Sequence, residues 1–267
     1  MPYEKKISRK NPGLIALSVD DSGSMADPLP GTTDPKHKWT DRYTGIVFKD
    51  LLTRSSEMLG DSILIKPRYF LHTVVYGGSP RVWGEDCLDI EAVVQKFTSD
   101  NNSIGLGGKL GGTDEAAAFQ VTLDYLRKAV QEERFRDSFP PIVFHLTDGE
   151  SQTDGRQLAE QIKQLATSDG NVLIVNAYIG TRTSLNYRDP EDFPGYVDAS
   201  EAGPSPDNLR LFEMSSVAPD TIHRNLVDEG IFPNLRPGSR LFFDVRTRDM
   251  LKHVIQIVGS IGSRGAR

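Results

Sequence analysis

A single cysteine, Cys87, stands in 267 residues, so no disulfide can form within the chain and no cysteine cluster is available for zinc. Such sparing use suits a reducing compartment. Long apolar runs are missing too. No stretch approaches the roughly twenty residues needed to cross a bilayer. Basic residues are outnumbered, 31 Lys and Arg against 37 Asp and Glu, for a net charge of −6. That balance removes the concentrated positive face a phosphate backbone would require, and with it a nucleic-acid partner. Lys5, Lys6, Arg9 and Lys10 precede an apolar run only six residues long, which ends on Asp20 and is too short for a signal peptide. The expectation is a cytoplasmic protein with no membrane contact. Neither internal repeats nor low-complexity tracts are visible.

What is present is ordinary for a soluble protein: 37% hydrophobic and 25% charged residues, in a chain long enough to bury a full core. The run Leu14-Ile15-Ala16-Leu17-Ser18-Val19 is too continuously apolar for a strand with one wet face, and predicts a central strand covered on both sides. Residues 26–42, rich in Pro, Gly, Thr and Asp, read as a loop. Phe48, Leu52 and Leu59 then mark a helix over about 44–59. Strands follow at 69–76, at 81–83 as an edge, at 142–147, at 171–179 and at 240–244. Helices are expected at 89–97, 114–130, around Leu158 and Ile162, at 207–215, and last along the stripe Leu251, Val254, Val258 and Ile261. Residues 180–206 form a long acidic insertion with Asp189, Glu191, Asp192, Asp198 and Glu201 among prolines and glycines. Strand and helix alternate, which calls for an α/β, doubly wound, mostly parallel sheet with helices on both faces. One domain over 1–267 is expected, its insertions at about 26–42 and 180–206 rising near the ligand edge.

The chemistry concentrates where the first strand ends. Asp20, Ser22 and Ser24 set a carboxylate and two hydroxyls at alternate positions, hard oxygen donors that suit a divalent cation. Magnesium asks for about six oxygens, so three residues cannot complete a site. Two other places offer the remainder. Thr113 follows Gly111-Gly112, where backbone can approach an ion closely, and Asp148 follows the apolar strand 142–147 just before Gly149.

These five residues, Asp20, Ser22, Ser24, Thr113 and Asp148, resemble in order the metal-ion-dependent adhesion site of von Willebrand factor A-type domains, the group that includes integrin I domains. The resemblance implies a Rossmann-like sheet with the ion beyond its carboxyl edge, where strand order reverses. Magnesium is the ion expected there, being abundant and oxygen-seeking, with manganese or calcium as alternatives. Two carboxylates and three neutral hydroxyls leave a dication electrophilic, free to accept an external Asp or Glu side chain. The function so implied is a non-enzymatic, metal-dependent protein-interaction module, a scaffold or regulatory subunit in a multi-protein complex. Its partner would present an acidic residue and could be a separately encoded ATPase, kinase or phosphatase. An acid of the 180–206 insertion, such as Glu191 or Asp192, could plug the metal from within.

Alternatives remain for each element. Asp20, Ser22, Ser24, Thr113 and Asp148 could be turn formers or helix caps. His72 and His145 sit in apolar strands and are read as core histidines, and Asp21 as solvated or paired. A magnesium-dependent phosphoryl hydrolase or transferase would favour Asp-x-Asp, yet Ser22 holds the second place with no adjacent base. Gly105-Leu106-Gly107-Gly108-Lys109-Leu110 fails as a phosphate loop because Leu110 replaces the magnesium-binding hydroxyl. An extracellular adhesion domain is disfavoured by the short apolar run near the N-terminus.

Overall fold

The computed structural model describes residues 3–260 except 30, 61, 181, 182, 186 and 188, and leaves the side chains of 258–260 aside. Strand β1 (Gly13–Asp20) is buried along its whole length. Its alternation feeds two cores at once: Ile15, Leu17 and Val19 join one apolar cluster, and Leu14 and Ala16 the other. This is the period-two pattern of a strand covered on both faces. Helix α1 (Lys36–Arg54) follows, then a hairpin of β2 (Ser56–Leu59) and β3 (Ser62–Ile65), then β4 (Tyr69–Tyr76), β5 (Pro80–Val82) and β6 (Leu88–Asp89). Helix α2 (Ile90–Ser99) is capped by the Asp89 carboxylate, which accepts from the amides of Glu91 and Ala92. Helices α3 (Glu115–Ala129) and α4 (Glu133–Arg136) lead to β7 (Ile142–Thr147), α5 (Arg156–Gln164), the two-residue strands β8 (Ala166–Thr167) and β9 (Gly170–Asn171), and β10 (Leu173–Tyr178). The chain closes with α6 (Pro206–Met214), α7 (Asp220–Asp228), β11 (Phe242–Asp244) and α8 (Arg248–Ser260).

The central sheet runs β11-β10-β7-β1-β4-β5, with β6 also on β4. Its inner pairs are parallel, and β5 and β6 run antiparallel to β4. Helices α1 and α8 pack together, as do α3 and α5. Their apolar residues fall in different clusters, Phe48 and Val254 in one and Phe119 and Ile162 in the other, so the two helix pairs cover opposite faces. Strand order reverses between β1 and β7, which are direct neighbours with Val19 opposite Leu146. Asp20 and Asp148 therefore leave the same sheet edge side by side, at the switch point where ligands of such sheets bind. Among the described residues no helix is long and apolar enough to cross a membrane.

Several sequence expectations need correction. Residues 26–42 are not all loop: α1 begins at Lys36 and buries Trp39, Thr40 and Tyr43. The polar Lys36-His37-Lys38 start hid this turn. The same helix stops at Arg54, and Leu59, read as part of its stripe, is 69% exposed on the hairpin, whose Gly60 turn adopts φ +61°. Helix α7 went unread because its buried face, Ile222, Asn225 and Leu226, has only two apolar residues. Residues 180–206 are less wet than their composition implies, since Phe193 and Tyr196 are fully buried among Phe232, Phe242 and Phe243. In α8 the expected Leu251 and Val254 are buried, whereas Ile261 and the Val258 side chain lie outside what is described.

Candidate metal centre

At the end of β1 the chain turns back sharply. Asp20 Oδ1 accepts the Ser22 amide at 2.8 Å, a closed Asx turn, and Oδ2 accepts the Thr147 hydroxyl at 2.8 Å. Thr147 Oγ1 also accepts the Gly149 amide at 3.0 Å, so one hydroxyl ties the two strand ends together. The turn sets Ser22 Oγ and Ser24 Oγ 3.2 Å apart. Asp20 is fully buried, and that burial, with the nearby charge of Asp148, pushes its carboxyl up to about 6. Two acids are thus held close where water cannot screen them.

Asp148 arrives from β7. Its Oδ2 accepts the Lys36 ammonium at 3.0 Å, while Oδ1 is buried with no hydrogen-bond partner. A buried, unsatisfied carboxylate oxygen costs free energy unless a cation or donor meets it. Lys36 Nζ also donates to the Ser24 carbonyl at 3.2 Å. Thr113 comes from the loop before α3, where Gly112 permits close approach: a Cβ there would meet Gln152 Oε1 at 2.6 Å. The Thr113 carbonyl accepts the Gln152 amide at 2.9 Å and the Ser151 hydroxyl at 3.1 Å. Ser22, Ser24 and Thr113 line one open cleft of about 380 Å³ with Glu150, Ser151 and Gln152.

The structure brings all five sequence-derived residues to this edge. Ser22, Ser24 and Thr113 share the cleft, Asp148 is joined to the Ser24 carbonyl through Lys36, and Asp20 lies within electrostatic reach of Asp148. Among the described residues no three His, Cys, Asp or Glu side chains converge to hold an ion, so any oxygen cage must draw on the hydroxyls. The donor set, hard oxygens with one buried orphan, fits a hard divalent cation.

Asp21, read as solvated or paired, is paired and buried. Its Oδ1 accepts the amides of Gly107 and Gly108 at 2.7 and 2.6 Å and anchors the loop that leads to Thr113. Gly108 has φ +61°, and a Cβ there would strike the Ala26 backbone nitrogen at 2.7 Å. Asp21→Ala is expected to cost about 1–3 kcal/mol by leaving two amides without their acceptor. Amide hydrogen exchange over residues 105–113 should accelerate in that variant. Exchange at the native rate would mean the anchor is elsewhere.

Sequence reading missed a second clasp. Glu115, in the first turn of α3, is 1% exposed and accepts Arg210 Nε at 3.1 Å and the Gly155 amide at 3.2 Å. Arg210 reaches from α6 and also donates to the Gly149 carbonyl and Asp207 Oδ1, each at 2.6 Å. Burial outweighs Arg210 and pushes the Glu115 carboxyl up to about 7. The residue after Asp148 and the second residue after Thr113 are thereby bound to one guanidinium. No local pattern could have revealed a contact between positions 95 residues apart.

The two histidines are core residues, as read. His145 Nδ1 donates to Asn176 Oδ1 at 2.7 Å and Nε2 accepts from Tyr76 OH at 2.5 Å, and burial pushes its pKa down to about 4. The roles follow because the Asn176 amide nitrogen already donates to Ser215 and Leu211. His72 Nδ1 meets the Asp86 carbonyl at 2.7 Å and its ring stacks on Tyr125. Among the described residues none from 180–206 lines the cleft. Glu191 and Asp192 lie in a turn that packs on α8, and Glu201 pairs with Arg236 at 2.7 Å. Among the described residues none of these acids forms the internal plug that was one possible reading of the insertion.

No protein-family model and no curated protein sequence matches the chain. Solved structures do match in fold. Proximal thread matrix protein 1 from the mussel byssus aligns over 95% of this chain with a TM-score of 0.52 and 11% identity. The PilB minor pilin of Streptococcus sanguinis, as its D319A mutant, aligns over 95% with a TM-score of 0.55 and 10% identity. A further structure of the mussel protein, described as having a zinc-occupied MIDAS motif, aligns over 95% with a TM-score of 0.51 and 12% identity. This chain spans about half the length of the mussel protein, 49%, and 62% of the pilin. The likeness is one of architecture: a central, mostly parallel sheet flanked by helices.

Proposed function

We propose that this chain is a metal-dependent protein-interaction module that captures an Asp or Glu side chain of a partner at the carboxyl edge of its sheet. The observation that carries the reading is the buried, unpartnered Asp148 Oδ1 beside Asp20, at a cleft lined by Ser22, Ser24 and Thr113. Ser22, Ser24 and Thr113 would hold the ion through their hydroxyls, and Asp20 and Asp148 would balance its charge. A bound dication supplies an electrophilic position open to an external carboxylate. Thr147 and Asp21 keep the two strand ends and the Thr113 loop in register for it. The zinc in the mussel protein's MIDAS motif supports a divalent ion in this fold, and magnesium is the ion proposed here.

The cleft is open, with no cover from residues 180–206 among its described walls, and so suits a protein surface. The partner is proposed to be a separate protein in a cytoplasmic complex. Its identity is tested by capture from native extract with native protein, with EDTA, and with Asp20→Ala. Partners bound by native protein with magnesium, and lost by at least tenfold in both other arms, support the reading. Partners retained equally in all three arms would refute it.

A further inference from the structure

Lys36 has no place in the five-residue pattern, yet its ammonium already sits on the proposed metal's carboxylate. The lysine is held there by its backbone as well as its charge. Its amide donates to the Asp27 carbonyl at 2.9 Å, and Pro28 and Pro35 bridge across the intervening loop, whose Leu29 is buried. Helix α1 therefore starts a fixed distance from the Ser22–Ser24 turn. A cation in the first turn of a helix faces the positive end of the helix dipole, an unfavourable place unless something nearby compensates. No acid lies in that first turn. The compensation comes from Asp148 Oδ2 at 3.0 Å and the Ser24 carbonyl at 3.2 Å, and the side chain is only 13% exposed.

We infer that Lys36 is a resident counter-cation of the metal centre, one that holds Asp148 Oδ2 and opposes by its charge a divalent ion binding at the open Oδ1. The inference rests on the metal reading above and adds a residue to it. Its consequence is counted in formal charge. Asp20 and Asp148 carry two negative charges, which a dication alone would neutralise. With Lys36 retained beside them the occupied site keeps one net positive charge. Lys36 thus weakens the hold on the metal and strengthens the attraction for an anionic partner. Its ammonium is tethered at the site by the short loop and can face an incoming carboxylate.

The test is magnesium and manganese titration by calorimetry of native protein, Lys36→Met, Lys36→Gln and Lys36→Arg. The two neutral variants are expected to bind the metal roughly tenfold or more tightly, because they remove one positive charge held beside the ion. Lys36→Arg keeps the charge and should stay near the native affinity. Thermal melts without metal should move the other way, with both neutral variants less stable than native, and they also verify that each variant folds. Metal uptake by native protein with equal or weaker uptake by both neutral variants overturns the role of Lys36 and leaves the metal reading standing. No uptake by any variant overturns both.

Discussion

Arg210→Ala should cost about 3–5 kcal/mol, the range for removing one partner of a buried ion pair. The guanidinium meets a carboxylate that is 1% exposed, and its other donors satisfy Gly149 and Asp207. For a chain of this size that loss lowers the melting temperature by roughly 10 °C. The effect should depend on pH in a definite direction. Glu115 has its carboxyl raised to about 7, so at pH 5 it is already protonated in the folded protein and has no charge to leave unpaired. At pH 8 it is ionised and the loss is felt in full. The penalty from chemical denaturation should therefore shrink as pH falls from 8 to 5. Combining Arg210→Met with Glu115→Gln should recover part of the stability by removing both charges. A penalty independent of pH, or a double variant as unstable as the single one, would show that the pair does not carry the effect.

Asp20→Asn should make two melting curves change places. The carboxyl of Asp20 is raised from 3.8 to about 6, so the folded metal-free protein binds more protons than the unfolded chain between those values. Stability contributed by this group therefore falls as pH rises through that window and stays low at neutral pH, by about 3 kcal/mol in order of magnitude. Asparagine removes the buried charge. Its amide oxygen can still accept the Ser22 amide, but its nitrogen cannot accept the Thr147 hydroxyl, which offsets about 1 kcal/mol of the gain. The metal-free variant should melt about 3–6 °C above native protein. Saturating magnesium should then raise the native curve, by about 2.7 kcal/mol at a hundred times the dissociation constant, and leave the variant unmoved. Equal stabilisation of both by magnesium would remove Asp20 from the metal site.

The parts legible in the sequence share one property: their signal is local. Strands β1 and β7 are continuous apolar runs that end on an acid, so Asp20 and Asp148 could be placed at strand ends from composition alone. The doubly wound order follows from the alternation of elements, and it brings those ends together. Lys36 could not be placed this way. It reaches Asp148 because a short 3-10 turn, Gly23–Ala26, and the loop after it turn Met25 and Leu29 inward, and segments so short have no periodicity to read. The 180–206 insertion misled for a related reason. Its prolines and acids imply solvent, but Phe193 and Tyr196 turn it inward, and Thr183 and Tyr187 hydrogen-bond Asp244 at the end of β11. The helix read through to Leu59 failed because leucines in a two-stranded ribbon can repeat at helical spacing by coincidence.

Three successive residues at the head of α3 carry three different duties. Thr113 faces the cleft, Asp114 caps the helix through the Ala117 amide, and Glu115 is sealed under Arg210. Extra residues beside the exposed Asn101 and Asn102 would only lengthen a surface turn, a change chains tolerate at modest entropic cost. One residue added between Thr113 and Glu115 would uncap the helix and move the hydroxyl off the cleft together. Evolutionary drift in loop length at this edge therefore has a one-sided allowance, open upstream and closed within those three positions.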